Sequence, residues 1–126
     1  MKLVLAIALG GAIGAVGRHY VSVAMTLLVG HGFPWGTLVV NIVGSFAMGA
    51  LIETMALVWS PSLEMRALLT VGVLGAFTTF STFSLDVATI YERGTPLVLA
   101  VYVASSVALS ILALFAGLRL MRLVLA

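Results

Sequence analysis

Residues 72 to 84 read Gly72-Val73-Leu74-Gly75-Ala76-Phe77-Thr78-Thr79-Phe80-Ser81-Thr82-Phe83-Ser84. The apolar sequence around them, from about Arg66 to Tyr91, is long enough to cross a bilayer, which takes about 20 residues and commonly about 17–25. Yet this stretch makes a poor continuous helix. Its glycines are followed by β-branched threonines, which lose rotamer freedom in a helix while their hydroxyls compete for backbone partners. The span is therefore expected to break near its middle. Non-helical backbone at that depth persists only where protein buries it or where it lines a cavity, and its freed carbonyls suit a cation.

Outward from this stretch the chain contains three more apolar segments, giving spans at about residues 3–29, 35–59, 66–91 and 96–118. Gly30-His31-Gly32-Phe33-Pro34, Ser60-Pro61-Ser62 and Glu92-Arg93-Gly94-Thr95 separate them as turns, with Gly and Pro as breakers. Trp35 and Trp59 mark the two ends of the second span, as an aromatic belt would. Residues 1–126 thus read as a single four-helix transmembrane domain. Composition agrees: 63% of residues are hydrophobic and 8% charged, against about 25% charged in a soluble domain. So little polar surface cannot cover a water-exposed globule, so the solvent over most of the surface is the lipid bilayer.

Several classes are excluded at this level. Cysteine is absent, so there are no disulfides and no thiolate metal sites. Six basic and four acidic side chains are scattered rather than clustered, which leaves no nucleic-acid footprint. Met1-Lys2 and the small residues Ala15-Val16-Gly17 imitate a secretory signal, but apolar sequence resumes at Tyr20 and the first helix is expected to stay. An even number of spans puts both termini on one side, with Lys2, Arg66, Arg119 and Arg122, opposite Arg93 and His31. The positive-inside rule then favours cytoplasmic termini.

Polar residues inside the spans carry the functional information, because each must face protein or water. Thr37, Asn41 and Ser45 recur every four residues along one face of the second span, and Tyr102, Ser106 and Ser110 do the same in the fourth, with Ser105 beside them. Such hydroxyls commonly serve as interhelical glue; two aligned stripes instead suggest a shared polar path. Phe80 and Phe83 lie three apart and point to one side. Packing is the ordinary role for such a pair, but the positive edge of a phenyl ring can face a small anion, as can the donors of an amide or hydroxyl. Arg18 lies about halfway along the first span, too deep for easy snorkelling, and fits a water-filled vestibule that concentrates anions. Glu53, Glu64, Asp86 and Glu92 all fall towards span ends or loops, so no midplane carboxylate is available for proton coupling. No catalytic or metal-ligand grouping emerges around His19 or His31, and enzyme chemistry is not expected. Gly10, Gly14, Gly44 and Gly49 provide for close helix packing. Four helices enclose little interior, so a second subunit is expected to complete the polar stripes.

Three segments together resemble the Fluc (CrcB-like) family of small fluoride channels. Gly10 through Tyr20 is similar to the GGxxGAxxR motif of its first helix, with His19 inserted between Arg18 and Tyr20. Gly36-Thr37-Leu38-Val39-Val40-Asn41-Ile42-Val43-Gly44-Ser45-Phe46 is similar to GTLxVNxxGSF, and Thr78 through Ser84 to the TTFSTFS core. The resemblance covers nearly the whole chain. It implies an all-α membrane protein with four transmembrane helices and a broken third helix, assembled as an antiparallel, dual-topology homodimer with two pores. It further implies passive export of fluoride down its electrochemical gradient, relieving fluoride toxicity. On this resemblance Phe80 and Phe83 present ring edges to fluoride and Asn41 donates to it. Tyr102, Ser106 and Ser110 form a polar track, with Thr79, Ser81 and Thr82 assisting, and Arg18 lines the vestibule. Gly75 and Thr78 match positions whose backbone carbonyls hold a structural sodium ion at the dimer centre. Asp86 stands where the family carries Glu. The main competing reading is a small multidrug-type antiparallel dimeric transporter, which needs a carboxylate deep in the first span, where this chain has only Arg18.

Overall fold

The computed structural model describes all residues, 1–126, and is entirely helical. Its elements are α1 (Lys2–Val29), α2 (Trp35–Leu57), α3 (Leu63–Ala67), the π-helical stretch π1 (Leu68–Leu74), α4 (Gly75–Phe77), α5 (Phe80–Glu92) and α6 (Pro96–Leu125). Four spans, Lys2–Val29, Trp35–Leu57, Leu63–Glu92 and Pro96–Leu125, are long and apolar enough to cross a membrane. The helix boundaries follow local chemistry. Gly30 ends α1 at φ 86, a left-handed conformation that glycine adopts without steric cost, and its N–H donates to the Thr26 carbonyl. Ser62 caps α3 by accepting from the Met65 N–H, and Pro96 starts α6, where a missing N–H is harmless.

Three boundaries differ from the hydropathy reading by two residues or more, the third span beginning at Leu63 rather than Arg66. The second span stops being helical at Leu57, before Trp59. The fourth continues past Leu118 to Leu125, because nothing between them breaks a helix and Arg122 finds a partner there. The Arg122 guanidinium donates from Nε to Oε1 of Glu53 at 2.9 Å and from Nη2 to Oε2 at 3.1 Å. This two-point contact ties the end of α2 to the end of α6, and Glu53 is buried by it.

Helix packing is by backbone approach more than by side-chain interdigitation. The most extensive interface joins α2 to α6. A Cβ on Gly49 would overlap the Leu114 carbonyl oxygen, and one on Gly117 would overlap that of Phe46. On the other flank, Gly10 and Gly14 of α1 receive π1, with the Leu68 and Val73 carbonyls in the space a side chain would take. Small residues that let backbones touch are the common solution where lipid removes the hydrophobic drive between helices. The third span changes partner along its length: α3, π1 and α4 pack on α1, whereas α5 packs chiefly on α6 and makes no close backbone approach to α1.

Only 17 of the 126 residues are buried, so the outer surface is apolar almost throughout, as a lipid solvent requires. The small internal cluster gathers Leu38, Phe83, Ile90 and Tyr102 where α2, α5 and α6 converge.

Candidate functional site

The site is built on Thr78 and Thr79, which are extended (φ −81, ψ 160 and φ −154, ψ 124) between α4 and α5. Extended backbone has lost its helical hydrogen bonds, so each group must find another partner. Asn41 on α2 supplies two of them. Its Oδ1 accepts the Thr79 N–H at 2.8 Å, and its Nδ2 donates to the Thr79 carbonyl at 3.0 Å. A primary amide thus pairs with this residue as a neighbouring strand would. Gly44 lets the two elements come together, since a Cβ there would overlap the Thr78 methyl.

The hydroxyls divide the remaining work. Thr79 Oγ1 caps α5 by accepting the Thr82 N–H at 3.1 Å, and lies 3.4 Å from Ser81 Oγ. Thr78 Oγ1 donates back to the Leu74 carbonyl at 2.9 Å. In an uninterrupted helix the Thr79 and Thr82 amides would bond the carbonyls of Gly75 and Thr78. Here those amides go to Asn41 and to the Thr79 hydroxyl, so the two carbonyls lose their helical donors.

Beside this junction a groove of about 250 Å³ opens between α2, α5 and α6. Asn41, Ser45 and Thr79 line it with Phe80, Phe83, Ser106 and Ser110, and none of its lining residues is charged. Ser106 Oγ and Ser110 Oγ are buried and have no hydrogen-bond partner within the chain. Buried polar groups are nearly always paired, so these two hydroxyls stand open to a hydrogen-bonding partner from outside the chain.

The two phenyl rings stand 5.6 Å apart, centroid to centroid, but in different surroundings. Phe83 is 8% exposed, whereas Phe80 is 79% exposed at the groove's rim. Phe83 also packs 5.3 Å from Tyr102, and Phe33 meets Tyr102 edge-on at the same distance.

Not all the residues singled out from the sequence share this groove. Tyr102 lies behind it, fully buried, and its hydroxyl donates to Asp86 Oδ2 at 2.8 Å. Ser81 is exposed and does not line the groove. Thr82 and Arg18 face a second cavity of about 280 Å³ together with His19, Ser22 and Thr37. Thr79 borders both cavities. Arg18 therefore sits beside the extended junction, on the opposite side of Thr79 from the serine hydroxyls.

Two contacts and one cavity residue escaped sequence reasoning. Asn41 was readable as a donor, but nothing marked a backbone group as its partner. The Tyr102–Asp86 bond had a partial signal, since Asp86 lies one turn beyond Phe83, which itself packs on Tyr102. Ser22 follows Arg18 by one helical turn and so shares its face, a signal that was available.

Four apolar spans around an uncharged polar groove that reaches an extended mid-span junction define a multi-pass membrane protein. Residues 5–118 match the family described as CrcB-like protein, Camphor Resistance (CrcB), and the chain belongs to that family. Its relatives include a fluoride-specific ion channel FluC of Rhodospirillum centenum, 54% identical over 97% of both chains. Proteins of the same name from Chelativorans sp. and Agrobacterium fabrum are 56% and 53% identical, covering 94% and 92% of this chain and 95% and 93% of theirs. Family and spans together place the chain in the bacterial plasma membrane.

Proposed function

We propose that this protein is a passive, fluoride-selective channel and catalyses no reaction. The observation that carries this reading is the groove itself, where the unpartnered hydroxyls of Ser106 and Ser110 face Asn41 and Phe83 with no charged group in the lining. The names of the relatives point the same way. Fluoride is small and strongly hydrated, so a pore must replace its water ligands with several fixed donors. A full positive charge in the path would hold the ion, whereas conduction needs weak binding at several positions. Hydroxyls, the second Nδ2 hydrogen of Asn41 and the edges of Phe80 and Phe83 meet that requirement. Arg18, across Thr79, raises the anion concentration at the entrance without standing in the groove. Tyr102 acts from behind: its bond to Asp86 and its packing on Phe83 hold the ring wall in place. Ser81 and Thr82 lie on the first turn of α5 and take part at the approach to Thr79. The absence of any carboxylate in the groove disfavours a small multidrug-type exchanger, which needs a titrating group in its path.

In this reading the working unit is an antiparallel homodimer with two pores and a broken third helix at its centre. The supporting argument is solvation. Lipid cannot satisfy carbonyls or hydroxyls, so polar backbone at span depth must be buried in protein or water. A second copy covers the open groove and the Phe80 rim, and inverted insertion gives each subunit's groove the same surroundings. The carbonyls of Gly75 and Thr78 then meet their symmetry mates. Four neutral carbonyl oxygens form a donor set that fits a hard cation such as sodium, which when bound supplies positive charge beside the anion path. This chain's residues hold the two carbonyls of each subunit free and position the groove beside them.

The decisive experiment is fluoride efflux from proteoliposomes after valinomycin, followed with an ion-selective electrode and compared with chloride. Rapid fluoride release with chloride retained is expected. Chloride passing as fast as fluoride, or no fluoride release from folded dimer, would overturn the proposal.

A further inference from the structure

Asn41 stands where the groove and the extended junction meet, and its amide bonds bear on the carbonyl face as well as on the path. The Thr79 N–H is the donor that would close an α-helical turn onto the Gly75 carbonyl. Asn41 Oδ1 holds that N–H at 2.8 Å instead, while Asn41 Nδ2 fixes the other side of the same residue through the Thr79 carbonyl at 3.0 Å. Held at both ends, Thr79 keeps its extended backbone. In turn Thr79 Oγ1 is placed to take the Thr82 N–H away from the Thr78 carbonyl. One side chain on α2 therefore controls, directly and through the Thr79 hydroxyl, the amides that would otherwise bond the Gly75 and Thr78 carbonyls.

We propose that Asn41 is the positioning residue of the cation site: its carboxamide takes the Thr79 amide away from Gly75 and so keeps the oxygens of Gly75 and Thr78 available to a metal ion. This rests on the reading of those carbonyls as cation ligands. The alternative chemistry at position 41 is instructive. An apolar side chain would leave the Thr79 N–H and carbonyl unpaired in a dry setting, at a cost of about 1–3 kcal/mol for each group. The chain relieves that cost by rebuilding the helical bond to Gly75, and the cation loses a ligand. Asn41 also borders the groove, so anion path and cation site share a residue and are disturbed together when it changes.

The test compares thermal unfolding of purified dimer in sodium chloride and in N-methylglucamine chloride, alongside fluoride flux. In the unaltered protein sodium is expected to raise Tm; no sodium-dependent rise there would overturn the cation reading itself, and this inference with it. Given that rise, Asn41→Ala is expected to abolish it. Asn41→Asp keeps an acceptor for the Thr79 N–H at the same reach, so it is expected to retain the sodium response while flux falls, separating positioning from conduction. A folded Asn41→Ala dimer with the full sodium response would refute the proposal. So would an Asn41→Asp dimer without one, and this second arm decides the matter if the alanine variant does not fold.

Discussion

The α2–α6 seam and the Thr78–Thr79 junction are both places where backbones come very close, yet they are held together by opposite means. At the seam, Gly49 and Gly117 bring two complete helices into contact, and every backbone group there is already bonded within its own helix. Packing alone suffices, and the residues need only be small. At the junction the helix bonds are missing, and particular side chains replace them one at a time: Asn41 for the Thr79 backbone, the Thr79 hydroxyl for the Thr82 amide. The first region tolerates no added volume. The second depends on the chemical identity of each donor and acceptor.

That contrast can be broken most violently at the seam. Gly49→Leu drives a side chain into the Leu114 carbonyl, and the expected cost is about 3 kcal/mol, the upper end of ordinary overpacking; size-exclusion chromatography should show aggregate in place of folded protein. Phe80→Ile changes the exposed rim without disturbing packed structure. It should elute as the unaltered protein does while fluoride efflux falls by at least about tenfold, equivalent to about 1.4 kcal/mol along the path.

Replacing both Ser106 and Ser110 by Ala sharpens the comparison from the other side. Because neither hydroxyl has a partner in the chain, thermal stability should hold or rise, by about 1 kcal/mol at most, even as efflux drops several-fold. A fall in stability would mean that these groups are structural after all. The smallest effect is expected from Glu53→Gln. It removes the ionic character of the contact with Arg122, at the end of both helices and remote from the groove, and electrode traces of fluoride release should superimpose on those of the unaltered protein.

The same contrast explains what could be read from the sequence. Hydropathy alone places the four spans, since long apolar runs have few alternatives in so uncharged a chain. The glycine pairs of α1 and α2 announce backbone approach because only one physical property, smallness, matters there. The candidate groove was less legible. Ser106, Ser110, Asn41 and Phe83 could be marked as polar or aromatic residues in unusual positions, but not their partners. A pattern reveals which face a side chain takes; it does not reveal that Tyr102 turns to Asp86 or that Asn41 turns to a main-chain group. Nor does it reveal that α6 runs on to Arg122, because an arginine near an interface ends some helices and continues others.

The π-helical stretch Leu68–Leu74 carries a consequence for how such a chain tolerates insertion and deletion. A turn closed by i→i+5 bonds holds one residue more than an α-helical turn. Removing a single residue there would let the segment rewind as ordinary α-helix while the helix beyond keeps nearly the same faces, because the wide turns already absorb that residue. A deletion in uniform α-helix has no such slack: everything beyond it would rotate by roughly 100°, the angular step of one residue. In α5 that would swing the residues beyond it off the faces they hold against α6, although none of them had been altered. The third span thus stores its tolerance for a lost residue upstream of the junction, in a stretch cradled between glycines.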